Sequence, residues 1–136
     1  MRFRLGHASR DLAPARRWAD PLLAAPVEHD RGPVLVQIVY DVRPEAAADF
    51  LRVVYRLRSA RLRDGAFSWG VYVDAATPTR YLEHFAIASW LEHLRQHERA
   101  TVADTDLQSC LLAFLDDGTR PIVTHHIAAD PPSPAE

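Results

Sequence analysis

Among its 136 residues the chain has no lysine, no asparagine, a single cysteine and only five glycines. Cys110 alone cannot close an internal disulfide, so the fold is not a cross-linked secreted scaffold, and a reducing cytosolic setting is expected. Long apolar runs are missing too. Spanning a bilayer takes about 18 or more consecutive apolar residues, whereas the longest run, Val34 to Tyr40, is already interrupted by Gln37. No apolar segment followed by a small-residue cleavage site stands near Met1. Sixteen basic residues, all arginine, against eighteen acidic ones leave a net charge of −2, which offers no long-range attraction to polyphosphate, so nucleic acid is not an expected partner. No glycine-rich phosphate loop or dinucleotide fingerprint is present. With 48% hydrophobic and 25% charged residues in this length, one core and one domain are expected.

The first 33 residues carry Pro14, Pro21, Pro26 and Pro33 between scattered charges. Proline fixes φ and disfavours helix in the residue before it, so this stretch reads as an extended linker able to pin Trp18 onto the domain. Residues 130–136, with Pro131, Pro132 and Pro134, read as a loose tail, leaving 34–129 as the folded unit. Within that unit Val34, Val36, Ile38, Tyr40 and Val42 alternate, and Leu35 and Val39 make the opposite side half apolar, as in a strand buried on both faces. Pro44 suits a first helical turn. Ala47, Phe50, Leu51, Val54 and Leu57 then follow at helical spacing up to Asp64-Gly65. Arg52, Arg56, Arg58, Arg61 and Arg63 crowd the end of that helix and read as a solvated basic face complementing the helix dipole, with docking to anionic lipid as the alternative. Phe67, Trp69, Val71 and Val73 alternate again, Asp74 to Thr79 makes a turn, and Arg80 to Ala88 returns as a hairpin partner. Ser89-Trp90-Leu91-Glu92 is a capping box, and Thr101 to Asp104 is a second box-like set opening a run through Leu107, Cys110, Leu111 and Phe114. Pro121 to Ala128 is a last strand, whose proline near the start points to an edge strand or a strand end.

The order βαββα(α)β predicts an α+β, ferredoxin-like domain, with a four-stranded antiparallel sheet covered by helices on one face. The bare face carries apolar residues, and a second copy is its simplest cover, so a homodimer is expected.

The strings Ala66-Phe67-Ser68-Trp69-Gly70-Val71-Tyr72 and Ser89 to Arg99 (SWLEHLRQHER), with Arg63-Asp64-Gly65-Ala66, Thr101-Val102-Ala103-Asp104 and Arg17-Trp18-Ala19-Asp20-Pro21, carry a resemblance running from about Leu12 to Ile127. The chain resembles the soluble C-terminal domain of major facilitator superfamily permeases of the transmembrane secretion effector group, relatives of enterobactin exporters. That domain is itself similar to the antibiotic-biosynthesis-monooxygenase class of dimeric α/β barrels. The resemblance implies two facing ferredoxin-like sheets and a cytoplasmic module at the inner face of a membrane beside a permease. Its role would be assembly or sensing of a small hydrophobic ligand. Transport is not expected of this polypeptide, which lacks the permeases' membrane helices. The rival implication is a small cofactor-independent monooxygenase acting on an aromatic or polyketide-like compound. Haem degradation, which in this class relies on an Asn, Trp and His set, is excluded by the absence of asparagine.

Candidate catalytic residues are few. His93 and His97, four apart, share a helical face with Trp90. Yet no Glu follows the first histidine and no further ligand completes a metal set, so packing or capping roles are expected, with no metal and no cofactor. His125 and His126, adjacent on a strand, point to opposite faces. His97, His93, His125 and Trp69 stand as candidates for proton transfer or substrate contact. Gln37, Trp69, Tyr72, His84, Phe85, Trp90 and His97 are candidates for lining a pocket, the aromatics being core residues first. Cys110 reads as an inert core thiol.

Overall fold

The computed structural model describes residues 23–99 and 102–134. Trp18 and the Thr101 cap lie outside the described residues, as does the side chain of His97. Strand β1 (Val34–Asp41) owes its place to β-branched and aromatic residues at every second position, since Val34, Val36, Ile38 and Tyr40 are all at most 1% exposed. Its other side, Leu35, Val39 and their neighbours, is half-buried in the single chain, so the expected two-sided burial is met on one face only.

Pro44 opens a short 3₁₀ turn, Pro44–Ala46, that runs into α1 (Ala47–Arg63). Phe50, Val53, Val54 and Leu57 turn inward from it at helical spacing. The helix stops at Asp64, where Gly65 takes a φ of 117° that side chains rarely adopt. Strand β2 (Ala66–Val73) follows, with a bulge between Ala66 and Ser68, and a turn leads to β3 (Arg80–Ile87). In that turn Asp74 Oδ1 accepts the N–H groups of Ala76 and Thr77 at 2.8 and 3.1 Å, fixing the hairpin. Helix α2 (Trp90–Arg99) starts at Ser89, whose Oγ accepts the Glu92 N–H at 3.2 Å as the capping box predicts. Helix α3 (Val102–Leu112) and strand β4 (Ile122–Ile127) complete the unit.

The sheet order is β2-β3-β1-β4, with every neighbouring pair antiparallel, so β4 sits at an edge as Pro121 suggested. This is the ferredoxin-like α+β fold. The core, formed by Val34, Val36, Ile38, Tyr40, Phe50, Leu57, Phe85, Ile87, Trp90, Leu111 and Phe114 among others, lies between one sheet face and the helices. Among the described residues no helix is long and apolar enough to cross a membrane.

Part of the proline-rich lead-in is docked on the domain. Val27 packs against the core. The carbonyls of Arg31 and His29 accept the N–H groups of Trp90 and Leu91 at 2.7 and 3.0 Å, satisfying donors that a helix start leaves open. A Cβ on Gly32 would sit 2.3 Å from the Ala88 carbonyl oxygen, so the backbone passes where only glycine fits.

Candidate functional site

Strand alternation sends the candidate residues to two different places. On the helix-covered face, aligned pairs bring Glu83 beside Ile38 and Val71, and Trp69 beside Phe85. Glu83 is fully buried and is the hub of a polar cluster. It receives Tyr40 O–H at 2.8 Å, Trp69 Nε1–H at 2.9 Å, and Arg61 through Nε at 3.0 Å and Nη2 at 3.4 Å. Arg61 also lies over the Phe85 ring, 4.7 Å from its centroid. The basic face read from the sequence is therefore corrected at this position. Arg61 follows Leu57 by four and Val54 by seven, on the apolar stripe, and is 8% exposed rather than solvated. Burial works most strongly against its charge, but the Glu83 carboxylate, helped by Tyr40 and Asp104, holds its pKa above the usual arginine value. Burial raises the Tyr40 phenol well above its usual pKa, and the adjacent carboxylate raises it further. Neither Glu83 nor Arg61 was singled out as functional by its sequence context. The signal was two opposite charges at inward-facing positions.

Other arginines of α1 are also paired: Arg52 with Asp49 at 2.7 Å, and Arg63 with Asp64 and with Asp104 of α3. Cys110 is buried, and desolvation pushes its thiol pKa up.

A second cluster lies on the same face, between α2 and β4. The His93 and His125 rings meet edge-on with centroids 4.8 Å apart, and the Trp90 ring lies 5.1 Å from the first and 6.2 Å from the second. His93 is 2% exposed and Trp90 4%. Trp69, some way along the sheet, is met edge-on by Tyr55 at 5.3 Å. Among the described residues no group of three His, Cys, Asp or Glu converges as a metal site would require.

Gln37, Tyr72 and His84 stand on the opposite, helix-free face, so they share no pocket with Trp69, Phe85 and Trp90. Register resolves this face into rows across the four strands. Tyr72, Leu82, Val39 and Ile122 form one apolar row. Gly70, His84, Gln37 and Thr124 form a polar middle row, and Ser68, Ala86, Leu35 and His126 a mixed one. The Tyr72 and His84 rings stack at 5.2 Å and 16°. A Cβ on Gly70 would come within 2.9 Å of His84 Nε2 and 3.1 Å of the Tyr72 ring, so the missing side chain lets both rings lie across β2. A mainly apolar groove of about 200 Å³ opens at the Val39, Tyr72 and Leu82 end, beside the Asp41–Arg80 ion pair of 3.1 Å.

A model of the transmembrane secretion effector family matches residues 1–133, and the chain belongs to that family. No curated protein matches it. Solved structures share the fold at low identity. A candidate antibiotic biosynthesis monooxygenase of Caulobacter crescentus is 16% identical with a TM-score of 0.63, covering 75% of this chain and 94% of its own. The Rv0793 protein of Mycobacterium tuberculosis is 19% identical with a TM-score of 0.60, covering 75% and 100%. A conserved protein of Methanosarcina mazei is 20% identical with a TM-score of 0.59, covering 68% and 89%. At such identity the likeness concerns the fold alone.

Proposed function

We propose that this domain is a non-catalytic dimerisation and assembly module, whose helix-free sheet face is covered by a second copy to close a dimeric α/β barrel. The observation that carries the reading is the apolar row Tyr72, Leu82, Val39 and Ile122, with Ile122 59% and Tyr72 60% exposed. Burial of apolar area at about 25 cal/mol per Å² favours covering such a surface. The groove of about 200 Å³ at its end is below the ~300 Å³ at which small-molecule pockets begin, and suits an apolar side chain of the partner copy better than a ligand. In the family context the module serves a permease on the cytoplasmic side of its membrane, and a small hydrophobic ligand is bound only in the assembled barrel. The folded unit is residues 34–129, onto which the end of the 1–33 lead-in docks through Val27, His29 and Arg31, with 130–136 as tail.

Sedimentation velocity of the whole chain at micromolar concentration tests the reading. A dimer is expected for the native chain and a folded monomer for Leu82→Asp. A native chain that stays monomeric at that concentration overturns the proposal.

The rival, a cofactor-independent monooxygenase, is favoured by the likeness to structures carrying that description. On the other side, the candidate Trp69 holds a structural bond, its indole N–H donating to the buried Glu83. Oxygen uptake with anthrone- or quinol-type compounds, abolished in Trp69→Phe, would replace the module reading with this one.

A further inference from the structure

We infer that residues 27–33 form a strap that controls helix α2, so that strap and helix open together as one unit while the rest of the domain stays folded. The strap grips α2 through its backbone. A turn in which the Glu28 carbonyl accepts the Arg31 N–H at 3.2 Å sets the His29 and Arg31 carbonyls against the helix start. There they accept the Leu91 and Trp90 N–H groups at 3.0 and 2.7 Å. The helix's own cap serves the next two donors, Ser89 Oγ taking the Glu92 N–H at 3.2 Å and the Ser89 carbonyl the His93 N–H at 3.0 Å. Two of the four donors that a helix start leaves open therefore depend on the strap.

The strap itself is lightly held. Val27 and Gly32 are half-buried and the other five of its residues exposed. Val27 is its apolar anchor on the core, and the Pro33 carbonyl, which accepts the Ala128 N–H at 2.9 Å, ties its far end to the residue after β4.

Helix α2 also adheres weakly. It has ten residues, and isolated helices shorter than about 12–15 residues are marginal in water, so it lasts only while docked. Helix α1 sends Phe50, Val53, Val54 and Leu57 into the core, whereas the inward stripe of α2 is Trp90, His93 and Gln96, with Leu94 partly buried beside it. Gln96 Nε2 is buried and meets no acceptor among the described residues, a cost of docking that water removes when the helix lifts. The four strands pair with one another without help from strap or helix, so the sheet persists through the opening. Lifting α2 uncovers Trp90 and parts the Trp90 and His93 rings from His125 of β4. Whatever draws the strap off the domain thus exposes an aromatic and imidazole surface that the closed fold hides. Helix α2 lies on the side of the sheet away from the face assigned to a second copy, so the inference does not depend on the dimer reading.

Residue-resolved amide hydrogen exchange of the whole chain in rising sub-denaturing urea tests this, with Val27→Ala alongside. The amides of Trp90 and Leu91 and those of Leu94 to Gln96 are expected to share one opening equilibrium and one urea dependence, opening more readily than the β1 amides of Val36 and Ile38. In Val27→Ala that shared opening should become about fivefold more frequent for both groups of amides alike. Gly32→Ala, which crowds the Ala88 carbonyl, should act on the same amides. Leu94 to Gln96 amides that exchange only through global unfolding, or that keep their native rates in both variants, overturn the inference, as does an acceleration confined to Trp90 and Leu91.

Discussion

Arg61 and Glu83 form a two-point ion pair in which the carboxylate is fully buried and the guanidinium nearly so, with side-chain exposures of 9% and 0%. One partner comes from the last turn of α1 and the other from the middle of β3, so the pair fixes how the helix lies on the sheet. Such a pair adds little net stability over apolar residues of similar volume, but losing one member leaves a bare charge inside.

Glu83→Gln is therefore expected to cost about 3–5 kcal/mol in urea unfolding. Adding Arg61→Met should return part of that loss, because the orphaned charge is gone. A double variant as unstable as the sum of the two single changes would contradict the coupling.

Alkaline pH should reveal Tyr40. Its phenol stays protonated in the folded chain well above the value at which an unfolded tyrosine ionises, so the unfolded state binds fewer protons once pH passes about 10. Stability from this group is complete below that point and falls above it by about 1.4 kcal/mol per pH unit. Unfolding free energies between pH 9 and 11 should show the decline, and Tyr40→Phe should flatten it, at the cost of one hydrogen bond to Glu83.

Gly32→Ala has no room beside Ala88 and Ser89. A stability loss of about 1–3 kcal/mol is expected from the forced backbone shift, whereas Ser89→Ala, which removes only the cap of α2, should cost about 1 kcal/mol. Thermal melts of the two variants rank these effects, and a melting point unchanged in Gly32→Ala would mean that the lead-in is not packed as described.

Much of this architecture was legible because periodicity and punctuation agree. Alternation from Val34 to Tyr40, Pro44 before a 3.6-residue repeat, Asp64-Gly65 after it, and Ser89 ahead of Glu92 each mark an element or its end, and the strand and helix order leaves one economical topology. The buried cluster was hidden for a physical reason. A run of arginines reads as solvent-facing unless each is placed on the helix wheel, and only then does Arg61 fall in line with Val54 and Leu57. The pocket candidates mixed both parities of β2 and β3: Trp69 and Phe85 face the helices, while Tyr72 and His84 face away. Alternation alone separates them, but it does not tell which side the helices will cover.

The carbonyls of His29 and Arg31 grip the opening turn of α2, and Gly32 seats the chain too closely for slack. A displacement of the backbone at His29 or Arg31 is consequently felt directly at the start of that helix, through two main-chain hydrogen bonds.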